Sequence, residues 1–151
     1  MASSRTTPAR RRVLRPDLAE LGPLTQWAGE FAEQAGLPQS LSFALQLCLE
    51  EAAANIIMYS GAAETGQEIA IELMEAAPDV LAIIEDSGRP FDPTSVPPPP
   101  EPASIAQAPI GQLGVHFMRS FASEMRYEQR DGRNRLTLRF NPADVAAKAS
   151  E

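Results

Sequence analysis

The sequence predicts an α+β fold, a two-layer sandwich of a mixed or antiparallel sheet covered by helices. Three observations predict it. "QEIAIELMEA" and "VLAIIED" are two strand-like segments separated by a short "APD" turn. "SEMRYEQ" and "NRLTLRF" form a second pair across Asp131-Gly132, a hairpin signal. Stretches of helical periodicity stand before the first pair and between the two pairs. Two hairpins with separate helices bury one face of a sheet under helices.

The elements follow in order. Residues 1–15 carry five arginines and no acid. This start lacks the apolar stretch of a secretory signal. Its Arg and Ser content is partly that of a transit peptide, and the simpler reading is a disordered basic N-terminus over 1–11. Val13 and Leu14 suggest an edge strand. "DLAELGPLTQWAGEFAEQAGL" places Leu21, Leu24, Trp27, Ala28 and Phe31 at helical spacing, with Asp17 as cap and Gly36 as stop. A second helix is predicted over 39–59, opened by Pro38 and Ser40 and broken by Gly61 and Gly66. Ile69, Ile71 and Leu73 alternate with Glu68, Ala70 and Glu72, which is a half-buried strand. "VLAIIED" is nearly continuous in apolar character and belongs nearer the sheet centre. Residues 88–110 hold eight prolines, so they form a long loop, not a helix or a central strand. "GQLGVHFMRSFA" starts a helix with Val115, Met118 and Phe121 on one side. The tail, 141–151, is expected to fray.

The chain has 151 residues, enough for one domain with a real core. No stretch is expected to reach the length of a transmembrane helix. The single cysteine, Cys48, has no disulfide or zinc companion and reads as a buried thiol, which fits a reducing cytoplasm. Net charge is −7. Residues 16–88 carry thirteen acids and no Lys or Arg. Such a surface repels phosphate backbones, so nucleic-acid binding by the body is not expected, and a basic protein partner suits it better.

The second helix poses a question. On a wheel of about 100° per residue, Leu41, Leu45, Cys48, Leu49, Ala52, Ile56 and Tyr59 share one broad apolar sector. Gln46 and Glu50 lie opposite, facing water. Glu51 and Asn55 do neither: they stack one turn apart on the flank of the apolar sector. A carboxylate beside buried surface is costly unless something pairs with it. Either the pair hydrogen-bonds a neighbouring strand or loop, or it forms a site, with Glu51 as a general base and Asn55 as an oxygen ligand for a hard cation. Downstream, Asp86 ends an apolar strand and offers an acceptor to the exocyclic amine of a purine, while Gly88 lets a flat ligand near the backbone. Gly111 and Gly114 stand at a helix start, where backbone N–H groups and the helix dipole favour phosphate.

Glu-x-x-x-Asn on a helix, Asp-x-Gly after a strand, a long loop and Gly-x-x-Gly opening a helix are, in that order, the motifs of the GHKL ATPases. More narrowly, "LCLEEAAANIIMYS", "IIEDSGRPFDP" and "PIGQLGVHFMRSFASEMRYEQRDGRNRLTLRF" resemble the RsbW-type anti-sigma-factor serine/threonine kinases. The resemblance covers about residues 12–140. It implies a Bergerat-type ATP-binding fold with ATP and Mg2+ as cofactors. It implies Glu51 as the catalytic base, Asn55 as the magnesium ligand, Asp86 on the adenine amine, Gly88 beneath the ring, Gly111 and Gly114 on the phosphates, and residues 89–110 as ATP lid. It also implies a cytoplasmic homodimer that binds a sigma factor or other regulator and phosphorylates a STAS-domain anti-anti-sigma protein, with no part for nucleic acid or membrane.

Two departures stand out. The family usually has glycine where this chain has Gln112. It also tends to have an arginine just before the motif, whereas no Lys or Arg occurs here between Arg89 and Arg119. Phosphoryl transfer relies on positioning and charge stabilisation, so this is a deficit; magnesium and backbone N–H groups could suffice for binding, and Arg89, Arg119 or a partner residue could compensate. The only histidine, His116, lies inside the phosphate-loop helix, where a packing or surface role fits better than a phosphoacceptor. The alternative function is a non-catalytic GHKL-fold module that acts by sequestering its partner.

Overall fold

The computed structural model describes residues 7–95 and 112–149. In chain order the elements are β1 (Arg10–Leu14), α1 (Leu21–Gln34), α2 (Gln39–Tyr59), α3 (Ala62–Thr65), β2 (Ile69–Ala76), β3 (Asp79–Asp86), α4 (Gln112–Phe121), β4 (Glu124–Arg130), β5 (Arg133–Phe140) and α5 (Pro142–Ala149). The five strands form one sheet in the order β1-β2-β3-β5-β4. Every pairing is antiparallel, which settles the choice between a mixed and an antiparallel sheet. As expected, β1 is an edge and β3 is central.

The register explains the core. Ile71 pairs with Ile84, and Ile84 with Leu136; Leu73 pairs with Ala82, and Ala82 with Leu138. These rows are buried with Leu24, Ala28 and Phe31 of α1 and Leu41, Leu45, Cys48, Leu49 and Ala52 of α2. Burial of such rows under helices is the main favourable contribution to folding. The β4–β5 hairpin turns at Asp131 and Gly132, whose φ angles of 53° and 75° match the twist of antiparallel strands.

Several local expectations need correction. Asp17 caps a 3-10 turn, Leu18–Glu20, by accepting from the Ala19 N–H at 2.9 Å; α1 starts only after it. Strand β1 begins at Arg10, inside the segment expected to be disordered, because its backbone pairs with β2. Helix α3 was not expected; Gly61 and Gly66, both left-handed, bracket it. On α2, Tyr59 is exposed, not part of the buried sector, while Ala44, Ala53 and Ile57 are buried as well, because α1, α4 and α5 surround the helix. Gln46 does not simply face water: it is half-buried, its amide donates to Ser42 Oγ at 3.0 Å, and it lies against Gly29 of α1. At 21 residues, α2 is also long and apolar enough to cross a membrane, contrary to the sequence reading. Its apolar residues are instead the centre of the core.

The tail is the largest difference. Residues 142–149 form α5, packed on α2 and α4. Asn141 caps it by accepting from the Ala143 N–H at 2.9 Å, and Val145 is buried. The side chain of Asn141 also donates to Asp79 at 2.8 Å, tying the cap to the start of β3. Asn141-Pro142 was a readable start signal, with a good N-cap followed by proline at the first helical position.

Candidate functional site

Asn55 and Asp86 meet in one pocket, although 31 residues of chain separate them. Ala52, Asn55 and Ile56 of α2 form one wall; Ile84, Asp86, Leu136, Asn134 and Tyr127 form the sheet floor; Met118 of α4 and Phe91 and Pro93 of the following loop close it. The register accounts for the floor, since Ile84, Leu136 and Tyr127 lie in one cross-strand row and Asp86 pairs with Asn134 in the next core-facing row. The cavity measures about 20 Å³, the room of one water.

Asn55 is 2% exposed, and neither atom of its amide has a hydrogen-bond partner among the described residues. Buried amides are almost always paired, and an orphan costs about 1–3 kcal/mol. An Asn at this position therefore fits an oxygen donor to something bound there. Among the described residues no group of three or more His, Cys, Asp or Glu side chains could hold a metal, so a cation here would need phosphate oxygens as further ligands.

Asp86 is held in place. Its Oδ2 accepts from the Gly88 N–H at 2.9 Å and from Asn134 Nδ2 at 3.3 Å. Asn134 Nδ2 also donates to the Gly88 carbonyl at 2.9 Å, and Asn134 Oδ1 accepts from the Tyr127 hydroxyl at 2.9 Å. Burial pushes the Asp86 carboxyl above the usual range, against the opposing hydrogen bonds from Gly88 and Asn134 and the charge of Arg133. One carboxylate oxygen thus carries the clamp, which leaves acceptor capacity for a donor in the pocket.

Glu51 is half-buried one turn before Asn55. It does not line the cavity. Burial, with the neighbouring charge of Glu50, raises its pKa. That is the tuning a carboxylate base needs. Gly88 is also outside the cavity lining. A Cβ added there would lie 2.6 Å from both Cβ and the carbonyl oxygen of Ser60, so glycine is needed for β3 to leave past the end of α2. The Arg89 N–H donates to that same Ser60 carbonyl at 2.8 Å.

A profile of the histidine kinase-like ATPase domain matches residues 14–140. The chain belongs to the histidine kinase-like ATPase family. The resemblance to RsbW-type kinases and the α+β sandwich are both borne out. This ATPase-family chain is 32% identical, over 117 residues, to the serine/threonine-protein kinase BtrW of Bordetella bronchiseptica, covering 78% of this chain and 82% of BtrW. Among solved structures it is similar to the RsbU and RsbW domains of Rv1364c from Mycobacterium tuberculosis, with a TM-score of 0.57 and 17% identity. That match covers 89% of this chain and 32% of the other, so the chain spans about a third of it. The SiaB–SiaC complex of Pseudomonas aeruginosa matches with a TM-score of 0.54 and 13% identity over 90% of each chain. At these identities the structures share the fold.

Within this ATPase domain, Gly111 lies outside the described residues, as does most of the expected lid from 89 to 110. Gly114 falls in the first turn of α4. The first residues of that expected lid segment, 89–95, are described. Phe91 stacks on Tyr59 with ring centroids 5.9 Å apart, and Arg119 Nη2 donates to the carbonyls of Pro93 and Thr94, each at 3.1 Å. Arg119, one of the cations suggested for the phosphates, is thus engaged with the backbone of Pro93 and Thr94. Arg89 is exposed beside Gly61.

Sequence reasoning missed Asn134, Tyr127 and Ser60. Asn134 had a weak signal: it is the one uncharged polar residue that falls on the inward-facing side of β5, among Leu136, Leu138 and Phe140. Ser60 follows the helix and carried none.

Proposed function

We propose that this chain is an ATP-binding serine/threonine protein kinase and anti-sigma factor of a partner-switching system, and that it phosphorylates a STAS-domain anti-anti-sigma protein. The single observation that carries the reading is Asn55, buried in the pocket that also holds Asp86, with an amide that has no partner among the described residues. In this reading Asp86 accepts from the adenine amine, held in position by Asn134 and Tyr127. Gly88 shapes the backbone under the ring, and Gly111 and Gly114 present N–H groups to the phosphates at the start of α4, beneath a lid of residues 89–110. Asn55 would hold Mg2+, which neutralises phosphate charge when bound. Glu51 takes the proton of the substrate hydroxyl as its oxygen attacks the γ-phosphorus. The new O–P bond forms, the bond from the γ-phosphorus to the β,γ-bridging oxygen breaks, and ADP leaves.

The same reading makes the protein a cytoplasmic homodimer that also binds a sigma factor or other regulator. The finer statements draw on kinship with BtrW and on the fold shared with the RsbW domain and SiaB. A second reading is favoured by one observation: a cavity of about 20 Å³ is too small for adenine unless Phe91 and Pro93 move. A chain that keeps it shut would act as a sequestering module.

Calorimetric titration with ATP, with and without Mg2+, separates the two. The kinase reading expects saturable one-site binding, with Asn55→Ala weakening Mg·ATP roughly tenfold or more and metal-free ATP much less. A folded wild-type chain that takes up no nucleotide sinks the kinase reading and leaves the sequestering module.

A further inference from the structure

Helix α2 is buried on most of its circumference, yet the strip left in solvent is apolar too. Phe43 is 59% exposed and Met58 42%, with half-buried Leu47 and Ala54 between them on the same side of the helix. Of the five exposed large hydrophobic side chains among the described residues, three lie on α2: Phe43, Met58 and Tyr59. Tyr59 is accounted for by Phe91, whereas Phe43 and Met58 belong to a different side of the helix. Phe43 widens the strip, for its ring meets the edge of Phe121 of α4 at 6.0 Å and 83°. An outer helix face that polar residues would serve better, and that apolar ones occupy, marks an interaction surface.

Three features say what covers it. The strip from Phe43 to Met58 is roughly 22 Å long, at 1.5 Å per residue, which suits a folded protein and exceeds any small hydroxyl compound. Glu51 borders it: on the helical wheel Glu51 stands only about 40° from Leu47 and about 20° from Met58. A folded protein that brings a hydroxyl to Glu51 from this side lies across these residues. The rim is acidic, with Glu50 on the other border and no Lys or Arg anywhere in residues 16–88. Charge complementarity therefore calls for basic or neutral groups around the partner's apolar patch.

We propose that the ridge Phe43–Leu47–Ala54–Met58 of α2 is the docking surface for the phosphoacceptor protein, which covers it with an apolar patch while presenting its hydroxyl to Glu51. This rests on the kinase reading above and names the surface that reading lacks. Binding through the ridge sets recognition of the protein substrate and leaves the nucleotide pocket alone, because Phe43 and Met58 do not line that pocket.

The test uses the full chain and the STAS-domain proteins encoded in the same genome, purified one at a time. The one to which the wild-type chain transfers phosphate from ATP is carried forward. Phe43→Ser, Met58→Ser and the double variant are compared with Phe43→Leu and Met58→Leu. Both positions are exposed, so all variants are expected to fold, which thermal melts check. The expected result is a rise in KM for the protein substrate of roughly tenfold or more in the double serine variant. ATP affinity and kcat stay within about twofold, and the leucine variants behave as wild type. An unchanged KM overturns the ridge and leaves the kinase reading standing. A loss of ATP affinity, or a change in oligomeric mass by sedimentation, also overturns it, because the ridge is then covered by this chain or a second copy. If the wild-type chain phosphorylates none of the STAS proteins, the kinase reading fails and the docking surface falls with it.

Discussion

Glu51 makes a double demand on its surroundings at the scale of one residue. Burial and the charge of Glu50 raise its pKa, so the folded chain holds that proton more tightly than the unfolded chain does. The sign of the linkage follows. Stability from this group is fully present below the unfolded carboxyl pKa and is lost as pH rises through the raised folded value. At pH 7 to 8 the ionised carboxylate is therefore a destabilising group. Glu51→Gln is expected to melt above the wild type there, with the gain shrinking towards zero below about pH 3, where the carboxyl is protonated in both the folded and the unfolded chain. Melting curves across this range check it; an equal gain at all pH values would mean that packing, and not charge, is responsible. Phosphoryl transfer by the same variant is expected to fall on the order of 10²–10⁴-fold. The sequence made Glu51 and Asn55 legible because helical geometry alone placed them off the wet face. It did not reveal that Asn55 has no partner among the described residues, which depends on the other walls of its pocket.

At the scale of elements, the junction between β3 and α2, beside the pocket, is tightly packed. The Ser60 carbonyl accepts from the Arg89 N–H, its hydroxyl donates to the Ile56 carbonyl at 2.6 Å, and Gly88 packs directly on it. Gly88→Ala is expected to cost about 1–3 kcal/mol of stability, because the added methyl meets backbone as well as side chain. Combining it with Ser60→Gly should recover only part, since the carbonyl oxygen remains 2.6 Å from the new Cβ. Denaturant titration measures both. Full recovery would show that the Ser60 side chain alone excludes the methyl. The Asp-x-Gly spacing was readable, but this reason for it was not. Gly88 was expected to make way for a ligand, and its open side is taken up by Ser60. The Asp131-Gly132 turn, by contrast, was legible from its own two residues, since the conformation it needs is local. The Asp86–Asn134 pairing lies between those cases: the hairpin was predicted, but its registration with β3 depends on long-range packing.

The whole molecule turns on α2, which is wrapped by α1, the sheet, α4 and α5. Most core residues of α2 and of the strands were legible from periodicity, while the two predicted hairpins left the sheet mixed or antiparallel, because how the hairpins pair with each other depends on long-range packing. The last helix was not legible, because "ADVAAKA" has too few large apolar residues to announce a buried face. Among the described side chains of α5, Val145 is the buried one, at 1% exposure. If α5 completes the core around α2, Val145→Ala should cost about 1–3 kcal/mol by leaving a void between helices. Val145→Asp should cost more, since a carboxylate would be placed at a position that is 1% exposed. Val145 does not line the pocket that holds Asn55 and Asp86. Thus Val145→Ala should lower the denaturation midpoint while ATP affinity, measured well below that midpoint, stays within about twofold. A midpoint equal to that of wild type would show that α5 rests on the domain without supporting it. A large loss of ATP affinity with the midpoint unchanged would instead show that α5 sets the position of α2, and with it Asn55, beyond simply filling the core.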